Sequence, residues 1–367
     1  MYHLLQVVSN FKQLSDLAII IDATNYLENQ GLQYLADCID QLPNLNQLLI
    51  QIGNSNQYDQ SGVMFLCEKL KNQKQLTHLL IDIDGSRVNR LGISAIATTL
   101  KELNCLVKLK LKIDCGLGYI EEAKQLAISL RSLGNLKNLY FAISQNGRIS
   151  SEIYQELNNS LRNLKNLESF QIFGLNFHSD IKSIIYYADT LNYMQNLKNI
   201  NINIYHSDGI GKQAAICLSE SLKNLTNLIY LQICIERNSY IGAEGFCALF
   251  KSIMQMKSLI QLHVQIGSYN KIGYEGSKSI GEAFLHLQQL QKLIIIICLD
   301  NQIFQEGSEA IAEGIKKMSK LDYLNIFIAE NNYLKQFDMY KFGQAFSQLS
   351  NLKQLRWQFR QSDKLRS

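Results

Sequence analysis

The chain has 367 residues, 47% apolar and 19% charged, with a formal net charge of +4. That balance excludes a disordered chain, and it lacks the concentrated basic surface of a nucleic-acid binder. Pro43 is the single proline and no Gly/Ser-rich linker interrupts the sequence, so one domain over 1–367 is expected despite a length beyond an ordinary single core.

At the start, Leu4, Val7, Val8 and Phe11 take the positions that Leu35, Cys38, Ile39 and Leu42 hold 31 residues later. Residues 1–11 therefore read as the second half of a helix. Met1–Asn10 carries neither a basic leader nor a cleavage site, which sets aside a secretory signal. From Leu14 onward an apolar anchor recurs every 30 or 31 residues, at Leu45, Leu76, Leu106, Leu136, Leu167, Leu197, Leu228, Leu259, Leu290, Leu321 and Leu352. A period of that length is one supersecondary unit stacked on its neighbours. About 11 full repeats, with a half repeat before them and a terminal strand after, fill the chain.

Each anchor opens an L-x-x-L-x-I-x-I pattern, as in Leu76–Ile83 and Leu228–Ile235. Alternation with period two and many β-branched residues predicts a short strand. Leu231, Ile233 and Ile235 then face the core, and Gln232 and Cys234 face away. A polar loop follows, and after it a helix. Apolar residues ten, six and three before the next anchor share one helical face, for example Leu249, Ile253 and Met256 before Leu259. Gln73 breaks the last of these positions. Fourteen before the anchor, glycine stands at Gly31, Gly62, Gly92, Gly245, Gly276 and Gly307, which calls for close backbone approach or an unusual φ. Glu122, Ile153, Ser183 and Ala214 replace it through the less regular centre. Leu355–Phe359 is a final strand, where Arg356 and Arg360 discourage pairing of its edge.

Parallel strands joined by helical crossovers wind right-handed. A helix is wider than a strand, so the stack should curve, with the parallel sheet on the concave face and helices on the convex face. Twelve strands at about 4.8 Å give an arc on the order of 55 Å, enough for a folded partner. The expected class is α/β, a right-handed βα solenoid.

The pattern L-x-x-L-x-I, with I-G-x-x-G at Ile241–Gly245 and Ile272–Gly276 and a full helix per repeat, resembles the ribonuclease-inhibitor-like class of leucine-rich repeats. The resemblance covers essentially the whole chain. It departs in the strand, where L-x-I-x-I replaces the asparagine or cysteine usual after L-x-L. Abundant Asn, Gln, Ile, Lys and Tyr is similar in style to the repeat families of ciliates. The resemblance implies a horseshoe and protein binding, and no single activity.

No catalytic constellation emerges. The histidines His3, His78, His178, His206, His263 and His286 are dispersed, and the eight cysteines form no C-x-x-C pair. Free cysteines and no metal or other cofactor are expected, in a reducing, cytoplasmic setting. Cys115–Glu121 imitates a G-x-G-x-x-G phosphate loop, but Glu121 in the third glycine's place would repel phosphate. The apolar run at Leu293–Cys298 is too short to span a membrane. The candidate site is the outward row of the strands: Lys110, Lys112, Tyr140, Gln171, Phe173, Asn201, Asn203, Gln232, His263, Gln265 and Phe327. Exposed aromatics in a polar field suit a protein partner, and Lys110 and Lys112 suit an acidic one. The expectation is a non-catalytic interaction module or scaffold, with protein partners and no nucleic acid, membrane or small-molecule substrate. Two other readings stay open. One is a GTPase activator of the leucine-rich-repeat type acting through the loop arginines Arg87, Arg90, Arg148 and Arg237. The other is a structural subunit of a large intracellular assembly, ciliary or cytoskeletal.

Overall fold

The computed structural model describes residues 2–22, 25–53, 56–83, 88–114, 119–144, 150–173, 181–204, 211–237, 239–330 and 332–360, with backbone alone at 114, 143, 144 and 173. The chain divides into two compact units, 1–174 and 175–367.

In the first unit the described residues form α1 (Tyr2–Val8), β1 (Asp16–Ile21), α2 (Asn29–Asp40), β2 (Gln47–Ile52), α3 (Gln60–Leu70), β3 (His78–Ile83), α4 (Arg90–Glu102), β4 (Lys108–Asp114), α5 (Ile120–Ser129), β5 (Asn138–Ser144), α6 (Ser151–Leu161) and β6 (Ser169–Phe173). In the second they form α7 (Ile181–Leu191), β7 (Asn199–Ile204), α8 (Gly211–Leu222), β8 (Tyr230–Ile235), α9 (Gly242–Ile253), β9 (Gln261–Ile266), α10 (Gly273–His286), β10 (Lys292–Ile297), α11 (Phe304–Lys316), β11 (Tyr323–Ile328), α12 (Gln336–Ser347) and β12 (Gln354–Phe359). Strands and helices alternate, and within each unit the strands pair in parallel in chain order. Each unit is an open α/β solenoid, as the repeat predicts.

Neighbouring strands pair with like residues side by side. Leu48 stands beside Leu79, Leu79 beside Leu109, and Leu109 beside Leu139. In unit 2, Ile233 stands beside Val264 and Val264 beside Ile295. These rows meet the apolar helix faces. Leu35, Ile39, Leu249, Ile253, Ile311 and Ile315 are all within 1% of full burial. Each such side chain contributes about 1.5–3 kcal/mol relative to exposure. Gln73 is buried as well, and its Nε2 donates to the Ile39 carbonyl at 2.8 Å, which satisfies the polar group where leucine is missing.

The anchor leucines end each crossover. The Leu76 amide donates to the Gln73 carbonyl at 3.0 Å, Leu228 to Leu225 at 3.3 Å and Leu321 to Met318 at 3.1 Å, so a one-bond turn returns the chain from helix to strand. Asparagine before the anchor ties adjacent repeats. Asn44 Nδ2 donates to the Lys12 carbonyl at 2.8 Å, Asn135 to Asn104 at 3.1 Å and Asn227 to Gln195 at 3.1 Å.

A second asparagine ladder runs through the strand-to-helix loops. Asn301 Nδ2 donates to the carbonyls of Cys298 at 2.9 Å and Gly267 at 3.0 Å, while its Oδ1 accepts from the Asn270 amide at 3.1 Å. Asn332 repeats this toward Ala329, Cys298 and the Asn301 amide. In unit 1, Asn56 does the same toward Gly53, Asp22 and the Leu27 amide. These three asparagines, and Asn270 with them, are nine-tenths buried or more, so these bonds replace water for the loop backbone.

The two glycines of I-G-x-x-G have different causes. Gly242 and Gly273 hold φ of +63° and +64°, which L side chains resist. A Cβ on Gly245 would meet Lys212 Cα at 3.1 Å, so the second glycine admits the preceding helix. Where the centre lacks that glycine, Ile153, Ser183 and Ala214 are still buried, and Glu122 lies 3.8 Å from Arg90 Nε. At the last strand, Leu355 and Trp357 are exposed.

Candidate functional site

Alternation along each strand sends one set of side chains to the helices and the other to a face with no described layer over it. In unit 1 that open face has three rows. The first row is Asp16, Gln47, His78, Lys108, Asn138 and Ser169. The second is Ala18, Leu49, Leu80, Lys110, Tyr140 and Gln171. The third is Ile20, Gln51, Asp82, Lys112 and Ala142, continuing to Phe173, whose side chain lies outside the described residues. Ala142 is buried and Ile20 is 63% exposed.

The two predicted lysines differ. Lys112 Nζ sits 3.0 Å from Asp82 Oδ1 on the adjacent strand, so its charge is already answered. Lys110 Nζ lies 4.9 Å from the centre of the Tyr140 ring, a cation–π contact. Burial raises the Tyr140 phenol above its ordinary pKa, with Asp82 adding to the effect, so it stays neutral beside the lysine.

In unit 2 the open rows are Asn199, Tyr230, Gln261, Lys292, Tyr323 and Gln354; Asn201, Gln232, His263, Ile294, Asn325 and Arg356; and Asn203, Cys234, Gln265, Ile296, Phe327 and Gln358. No carboxylate stands in these rows, whereas Lys292 and Arg356 do. Cations again sit over rings: Lys292 over Tyr323 at 5.0 Å and Arg360 over Phe327 at 5.6 Å. Tyr230 donates to Gln232 at 2.6 Å, and Gln232 to the Cys234 sulfur at 3.2 Å.

The predicted residues whose side chains are described thus stand on the outward rows, with one correction. Asn203 is buried, at 4% exposure, and offers nothing to a partner. Gln265 is exposed, while Gln171, Asn201, Gln232, His263 and Phe327 are half-buried. Asn201 Oδ1 and His263 Nε2 are shielded and have no hydrogen-bond partner among the described residues. Burial lowers the His263 pKa, and Lys292 lowers it further, so the imidazole is neutral.

The first rows were missed in the sequence because the outward register was counted from the second leucine of each strand. Stepping back two residues from Leu49, Leu80 and Lys110 gives Gln47, His78 and Lys108.

Of the loop arginines, Arg90 faces Glu122 and lies 6.0 Å from the Tyr119 ring, and Arg237 covers the Tyr269 ring at 4.9 Å. Arg87 and Arg148, and the imitation phosphate loop at 115–118, lie outside the described residues. The seven described cysteines are free, and burial pushes the Cys67 thiol up to about 12. Among the described residues no His/Cys/Asp/Glu group could hold a metal, and no helix is long and apolar enough to cross a membrane. No protein-family model matches the chain, and no curated protein sequence matches it.

Proposed function

We propose that the chain is a non-catalytic interaction module of the leucine-rich-repeat type, working in the cytoplasm, that holds another protein against the open faces of its sheets. The observation that carries this reading is the make-up of those faces. Leu49, Leu80, Ile294, Ile296 and Phe327 are half-exposed on them, beside cations stacked on tyrosine and phenylalanine rings. Rigid aromatic and aliphatic anchors ringed by polar groups are what protein interfaces use.

The test is site-specific photo-cross-linking. Benzoylphenylalanine replaces Gln171, Gln232 or Gln265 on the open faces, and Lys251 or Glu282 on the helix surface as controls, in the whole chain. In extract of its own cells, the open-face positions should capture a discrete protein and the helix positions should not. Capture from the helix positions alone, or from none, refutes the reading.

A further inference from the structure

Unit 1 contains a groove that the sequence did not reveal. It lies over the open face of β1 to β4, with a volume of about 340 Å³. Its floor is Ala18, Leu49 and Leu80, which stand side by side in one row. Asp16 closes the end on β1, and Lys108 and Lys110 close the end on β4. The ends are therefore oppositely charged, about 14 Å apart at three strand spacings. The balance at the lysine end is decided by pairing. The neighbouring Asp82 is spent on Lys112, and neither Lys108 nor Lys110 makes an ion pair among the described residues.

On this charge pattern the geometry points to an acidic, apolar-anchored peptide segment of a protein partner as the groove's occupant. The segment lies across the strands, its apolar side chains on Leu49 and Leu80 and its carboxylate over Lys108 and Lys110. An extended chain covers this distance in about four or five residues. Asp16 opposes a second acid at the far end and favours an amine or a lysine there. The inference rests on the protein-binding reading and gives it a partner chemistry for one unit. A charge-assisted contact to a lysine pair should strengthen binding about tenfold or more over the neutral amide.

A random heptapeptide library displayed on phage, selected against the whole chain, tests this. Enriched peptides should carry Leu, Ile, Val or Met two to four positions from Asp or Glu. In fluorescence anisotropy, changing that acid to its amide should weaken the best peptide about tenfold, and added salt should weaken it further. The double variant Lys108→Ala/Lys110→Ala, with unchanged circular dichroism and melting, should bind the acid and amide peptides alike. Enriched peptides without an acid, no enrichment at all, or an acid preference that survives in the double variant would overturn the proposal. So would displacement of the peptide by decanoate at equal concentration, or by single-stranded RNA, each of which assigns the groove to another ligand. If the peptide result fails while cross-links still form at Gln171, Gln232 or Gln265, the protein-binding reading stands and only this occupant falls.

Discussion

Replacing Asn301 with alanine isolates the loop ladder. The side chain makes three bonds of 3.1 Å or less in unit 2, two donated to carbonyls and one accepted from the Asn270 amide, beside a longer one of 3.4 Å donated to the Leu299 carbonyl. The carbonyls keep a second donor each, since Gly267 also accepts from Asn270 at 2.9 Å and Cys298 from Asn332 at 3.0 Å. The Asn270 amide has no such reserve, and Asn270 is fully buried. Two lost bonds at about 0.5–1.5 kcal/mol each, plus an orphaned buried amide at about 1–3 kcal/mol, give a destabilisation of about 2–6 kcal/mol. Urea unfolding followed by circular dichroism should show the loss, and hydrogen exchange should show Asn270 deprotected first. Asn25 is the control. It is exposed and donates one bond of 3.2 Å to Asp22, so Asn25→Ala should cost under about 0.5 kcal/mol. An Asn301→Ala cost below about 1 kcal/mol, with Asn270 still protected, would refute the ladder as a source of stability.

Three further outcomes follow from the same geometry. Ile233 is 2% exposed and its neighbour Gln232 half-buried on the open face, so Ile233→Asp should cost several kcal/mol and Gln232→Asp little in thermal melting; equal shifts would mean the inward and outward sets are misassigned. Phe304 holds φ of +58° where Gly242 and Gly273 stand in other repeats, and it stacks on Tyr333 at 5.0 Å. Glycine and alanine at 304 both lose the stack, so Phe304→Gly should melt above Phe304→Ala, by about 1 kcal/mol, the reverse of the usual order; alanine ahead would contradict a left-handed backbone there. Burial and Lys292 hold the His263 pKa below the ordinary value of about 6.5, so its stabilising effect is full above that pH and is lost as pH falls through the lowered folded value. An NMR titration should find the lowered pKa and His263→Gln should flatten the acid side of the stability profile; titration at or above 6.5 would contradict it.

The repeat was readable because two strong periods coincide in it. Period two places Leu231, Ile233 and Ile235 inward, and spacings of three and four place Leu249 and Ile253 on one helical side; all five are buried. The loop ladder was harder to see. Asn270, Asn301 and Asn332 keep the 31-residue step, but Ser239 stands in for asparagine one repeat earlier, and a polar residue in a polar loop carries no periodic contrast. Ser239 takes over part of the role, donating to the Glu236 carbonyl at 3.0 Å. The neutralisation of Lys112 needed the exact strand pairing that sets it beside Asp82. The burial of Asn203 was not legible at all, because alternation fixes the side of a sheet on which a residue stands and not how closely its neighbours cover it.

Hydroxyl-radical footprinting of the whole chain, free and bound to the protein captured by cross-linking, reads which face of the sheets the partner covers. In the free chain Leu49, Leu80, Ile294 and Phe327 should oxidise readily and Leu48, Leu79, Ile295 and Ile326 should not. In the complex the first four should become protected while Met64 and Leu285 on the helix surfaces stay reactive. Protection of Met64 and Leu285 with the open-face residues unchanged would place the partner on the helices and contradict the account.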